Sequence, residues 1–159
     1  MYSVFHRSVE SLLQKYGINI SSQNEHDVYL LTVENRLDIY LIGTQAAYLN
    51  LACSVGELDE QASADSVVAL LAENQFSLSH PIFRLGIDKE SRIVTLATQR
   101  RLDELDSISM YKLVDHFITE AVRLNQWLSS LPNRETPHRQ GNQPMKQQIT
   151  QSHLIARHI

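Results

Sequence analysis

VYLLTVENRLDIYLIGTQAAYLNLACSV, residues 28–55, is the stretch whose reading decides the fold. VYLLTV (28–33) is nearly all apolar or β-branched, and Glu34-Asn35-Arg36 makes a short turn after it. In LDIYLI (37–42), Leu37, Ile39 and Leu41 share one face, as the two-residue period of a strand requires. A turn at residues 43–46 follows. In 47–55, Ala47, Leu49, Leu51, Cys53 and Val55 point one way, while Tyr48, Asn50, Ala52 and Ser54 point the other. Connections this short favour an antiparallel meander.

Helices flank the meander. Phe5, Val9, Leu12, Leu13 and Tyr16 recur at three- and four-residue spacing, which predicts a first helix over residues 2–16 with Gly17 as its stop. A second helix is predicted over 64–75, capped by Ser63. Its Val67, Val68, Leu70 and Leu71 occupy more than one face, and that surplus of apolar surface asks for a partner beyond the one sheet. Strands at 82–88 and 92–99 enclose the polar turn Asp88-Lys89-Glu90-Ser91. The third helix starts at a cap on Asp106 or Ser107 and carries Met110, Leu113, Val114, Phe117, Ile118, Ala121, Leu124, Leu128 and Leu131 before Pro132. The predicted class is α+β: one domain over 1–132, ordered α-β-β-β-α-β-β-α, with helices packed on a twisted antiparallel sheet. Residues 133–159, rich in Pro, Gln, Arg and His, hold too few apolar residues for a core and are expected to be a disordered or loosely helical tail.

Charge and composition narrow the function. Residues 1–133 hold 10 Lys/Arg and 17 Asp/Glu, a net of −7, whereas residues 134–159 carry +3. So acidic a body argues against nucleic acid as a ligand, since phosphate contacts need clustered positive charge. No apolar run approaches the length that spans a bilayer, and the N-terminal stretch reads as an amphipathic helix rather than a signal peptide. A single cysteine, Cys53, excludes an internal disulfide and fits a reducing cytoplasm.

Motifs for chemistry are sparse. Five glycines, none clustered, make no phosphate loop, and no nucleophile elbow occurs. Cys53 sits mid-strand among apolar residues and reads as core. His116 and Glu120 stand one turn apart without a marked third ligand, so they read as a solvated helix face. His138, His153 and His158 read as parts of a polar tail, and the acidic runs around Glu57 and Asp103 lack the spacing of a calcium loop. The expectation is a protein without metal or cofactor that works by binding, not catalysis.

The element order, together with SVESLLQKYGI (8–18), VYLLTVENRLDIYLI (28–42), YLNLACSVGEL (48–58), VVALLAENQF (67–76) and FRLGIDKESRIVTLATQ (83–99), resembles the class I type III secretion chaperones, the CesT (Tir chaperone) family. The resemblance spans residues 4–131 and implies a cytoplasmic bacterial homodimer. Such a dimer binds the extended N-terminal segment of a secreted effector and keeps it secretion-competent without ATP. Strand addition and apolar pockets would supply the contacts. The secretion ATPase is a further implied partner; nucleic acid and membrane insertion are not. Carried onto this sequence, the dimer interface maps to Val67, Val68, Leu71, Phe76, Phe83 and Leu85. The effector-binding candidates are Phe5, Val9, Leu12, Tyr29, Leu31 and Tyr40. Periodicity does not say which face is outside, so each of these six reads equally as core. A regulatory adaptor on the same fold, sequestering a regulator of the secretion system, is the alternative function. The basic tail departs from the family pattern.

Overall fold

Phe5, Val9, Leu12 and Leu13 form the buried stripe of helix α1, Val4–Lys15, in the computed structural model, which describes residues 4–18, 27–34, 36–44, 47–60, 62–74 and 81–131 and the backbone of 154–158. Gly17 takes φ 72° just past the helix end, a conformation that costs glycine nothing. The meander follows as β1 (Val28–Val33), β2 (Leu37–Ile42) and β3 (Tyr48–Glu57). Helix α2 (Ala64–Ala72), β4 (Arg84–Ile87) and β5 (Ile93–Arg101) come next. A 3-10 turn at Leu102–Glu104 leads into the long helix α3, Ser107–Ser130. Up to this point the element order is the one the sequence predicts.

All strand pairs are antiparallel, in the order β4-β5-β3-β2-β1-β6. Leu31, Val33, Ile39, Leu41, Leu49, Leu51, Cys53, Val55, Val94 and Leu96 line the buried face. Helices α1 and α3 cover that face: Met110, Leu113, Val114, Phe117, Ala121, Leu124 and Leu128 of α3 join the same core. The start of α3 is fixed by Asp106, whose carboxylate accepts from the amides of Ile108 (3.1 Å) and Ser109 (2.6 Å). The β4–β5 turn is tied by Asp88, which accepts from the amides of Glu90 and Ser91 and from the Ser91 hydroxyl. Arg92 then donates to the carbonyls of Leu58 (2.8 Å) and Asp59 (2.6 Å), anchoring the hairpin to the loop after β3.

The tail corrects one expectation. Residues 154–158, read from composition as part of a disordered segment, form strand β6 (Leu154–His158) against β1. Leu154 lies opposite Val33, Ala156 opposite Leu31 and His158 opposite Tyr29. An open sheet edge offers backbone donors and acceptors to any extended segment, so a strand here needs no apolar core of its own. Residues 133–153 and 159 of that tail lie outside the described residues.

Candidate partner-binding surfaces

Two surfaces come out of this architecture. The first is built on α2. The Ser63 hydroxyl caps the helix by accepting from the Ser66 amide at 3.1 Å. Ser66 and Leu70, one turn apart, are the two residues of the helix that are buried. Val67, Val68 and Leu71 therefore fall on the outer side and are 39%, 63% and 65% exposed. Ile82, Ile87 and Ile93 are exposed as well. Phe83 and Leu85, expected on the same interface, are instead part-buried against the core, with the Phe83 ring edge-on to Phe117 at 5.5 Å. Phe76 lies outside the described residues.

Polar contacts hold this surface in place. The Asn74 amide bonds both backbone groups of Leu85: its oxygen accepts from the Leu85 N–H (2.7 Å) and its nitrogen donates to the Leu85 carbonyl (3.2 Å). The side chain thus behaves like a short neighbouring strand on the outer edge of β4. Arg123 of α3 pairs with Glu73 at the end of α2 and with Glu120 one turn back.

The second surface is the α1–β1 side of the sheet. Of the two readings that periodicity left open, Phe5, Val9, Leu12, Tyr29 and Leu31 take the core one in this structure, where β6 is seated: all five are buried. Amphipathic stripes that face a sheet and stripes that face a groove have the same period, and here the sheet takes the α1 stripe. Tyr40 does not share that side. It sits between Ile39 and Leu41 on the opposite, half-exposed face, opposite Leu30 and Ala52 in register. That outer face mixes apolar and polar side chains, and polar pairs cross it: Asn50 accepts from Gln99 at 2.9 Å and Asp38 from Thr32 at 2.7 Å.

At the rim of the α1 side, His6 contacts the Tyr29 hydroxyl (2.7 Å) and the Asp27 carboxylate (3.0 Å). No local pattern marks this trio in the sequence, because its members come from a helix, a loop and a strand. Gly43 passes so close to α1 that a Cβ there would lie 2.3 Å from the Phe5 ring. Between them a cavity of about 460 Å³ is bounded by Val4, Phe5, Asp27, Gly43 and Leu102, among others.

Groups with chemical potential are placed elsewhere and put to structural use. Burial pushes the Cys53 thiol up to about 12, so it is an inert core residue. Glu120 is engaged by Arg123. Among the described residues no group of three His, Cys, Asp or Glu side chains is arranged to hold a metal. No described helix is long and apolar enough to cross a membrane.

Comparison with known proteins agrees with this geometry. The model of the Tir chaperone protein (CesT) family matches residues 7–125. No curated protein matches the chain in sequence. Among solved structures, the Yersinia pestis type III secretion chaperone SycH, in complex with a stable fragment of YscM2, superposes with a TM-score of 0.61 at 18% identity, over 76% of this chain and 98% of that one. A chain of the ExoT–SpcS complex from Pseudomonas aeruginosa gives 0.59 at 19% identity, over 77% and 98%. The ExsC–ExsE complex gives 0.62 at 17% identity, over 81% and 94%. At these identities the likeness is one of fold.

Proposed function

This chain belongs to the Tir chaperone protein (CesT) family, and we propose that it is a cytoplasmic type III secretion chaperone whose dimer holds the extended N-terminal segment of one or more effector proteins. It keeps that segment soluble and secretion-competent without ATP. Its product is a complex, not a reaction, and the secretion ATPase is the expected receiver of that complex. The observation that carries the reading is the row Val67, Val68 and Leu71, three apolar side chains left exposed on a nine-residue helix. Exposed apolar rows of this kind mark interaction surfaces. Two-fold symmetry lets one row cover its own copy, so each substitution in it counts twice. The solved relatives were captured as complexes with a second protein, which supports a binding role for this fold.

The test is affinity capture of the full chain from the cell that makes it, followed by mass spectrometry. A secreted protein held through its N-terminal region is the expected result. Recovery of the chain alone would count against the reading. Recovery of a regulator of the secretion system would favour the adaptor alternative.

A further inference from the structure

Strand β6 occupies the β1 edge of the sheet. The sheet ends at β1 unless Leu154–His158 is added, and β6 pairs in the sheet with β1 only. The family match stops at residue 125, so this strand lies outside the region common to the family. A bare β1 edge would present the unpaired N–H and C=O groups that an extended peptide needs for strand addition. In this chain those groups meet the chain's own C-terminal segment instead.

We propose that β6 is a displaceable occupant of the β1 edge, and that an extended client segment joins the sheet there by evicting it. This rests on the chaperone reading above and adds a control to it: the tail is a competitor held in cis. Two features suit the role. Twenty-two residues separate Leu131 from Leu154. A tether of that length reaches roughly 70 Å when extended, so it allows release without strain. The tail is also basic and the body acidic, +3 against −7, which favours return of the strand after a client departs. Tyr29 and Leu31, buried with β6 in place, stand on the very strand that its departure would open.

A tethered strand acts at an effective concentration on the order of millimolar. A free copy of the same strand at micromolar concentration therefore loses to it. The probe is a fluorescent peptide of residues 150–159, TQSHLIARHI. The chains compared are the unaltered full chain and the full-length double variant Ile155→Pro/Ala156→Pro. Of two adjacent strand residues one directs its N–H at the neighbouring strand, so the double change must break the β6 ladder. The expected result is peptide binding at least ~10-fold tighter to the variant, the difference set by that effective concentration. Equal affinities, or no binding to the variant, would overturn the proposal.

Hydrogen exchange on the unaltered chain gives a second reading that does not depend on the variant folding. The β1 amides that face β6 should exchange at least ~10-fold faster than the β3–β5 amides, through local opening. If both exchange only together, β6 leaves only when the sheet unfolds, and the proposal fails. Once a client segment is in hand, the two parts separate. A client that binds chain and variant equally would overturn eviction while leaving the chaperone reading intact. Peptide exchange as expected, with no client ever captured, would leave β6 a displaceable strand and count against the chaperone reading.

Discussion

In the proposed dimer, replacing Leu71 with aspartate should separate the two copies and leave each one folded. Leu71 is 65% exposed in the single chain, so about two-thirds of its surface is available to a partner. Fully burying a leucine side chain is worth ~1.5–3 kcal/mol, which leaves ~1–2 kcal/mol per copy for the interface. The residue occurs twice across a two-fold axis, giving ~2–4 kcal/mol per dimer. At 1.4 kcal/mol per decade that is a weakening of roughly 30- to 700-fold, before counting the cost of confining two unpaired carboxylates. The protomer should lose about 0.5 kcal/mol or less, because the side chain touches little of its own chain. Leu70, next in sequence but only 6% exposed, is the control: Leu70→Asp should unfold the chain rather than split it. Sedimentation equilibrium over a dilution series measures the first effect and urea unfolding the second. If Leu71→Asp dimerises as tightly as the parent, or if the parent is a monomer at micromolar concentration, the α2 surface is not the interface.

Three further outcomes follow from particular contacts. Gly43→Ala should cost ~1–3 kcal/mol through the clash with the Phe5 ring, and Phe5→Leu in the same chain should recover part of it; unchanged thermal midpoints would contradict the close packing of α1 on β2. Cys53 should resist a thiol reagent at pH 8 in the native protein and react at once in denaturant, since its thiol is buried and pushed up to about 12; rapid native labelling would show that β3 opens easily. Asp106 should make stability acid-sensitive. The Ser109 amide above all holds its carboxyl below the ordinary value of 3.8, so its contribution is complete above that value and fades as pH falls through the lower folded one. The stability gap between the parent and Asp106→Ala, read by urea unfolding, should close below that range, and a gap independent of pH would refute the charged cap.

The parts of this fold that were legible in sequence are those whose signal is local and periodic. The alternation in 37–42 and 47–55 gave β2 and β3, and the stripe from Met110 to Leu128 gave α3. The exposed row on α2 was legible for a simple reason: Val67, Val68, Leu70 and Leu71 exceed what one buried face of a short helix can hold. Strand β6 was not, because five residues in a polar tail carry no period, and the partner that orders them is β1, far away in sequence. The effector-binding candidates show another limit of the sequence. Phe5, Val9, Leu12 and Leu31 have the right spacing, but spacing alone does not say whether a sheet or a peptide covers the face. Asn74 on the β4 edge and the trio His6, Asp27 and Tyr29 are long-range polar contacts, which leave no pattern in a single sequence.

The central claim is that this chain holds an extended segment of another protein. Its most direct measurement is limited proteolysis of the captured complex, with mass spectrometry of the protected partner fragment and light scattering of what survives. The expected result is two copies of this chain around one short protected fragment from near the partner's N-terminus, a fragment that is unstructured when isolated. A partner protected only as a folded domain, or a single copy of this chain in the complex, would contradict it.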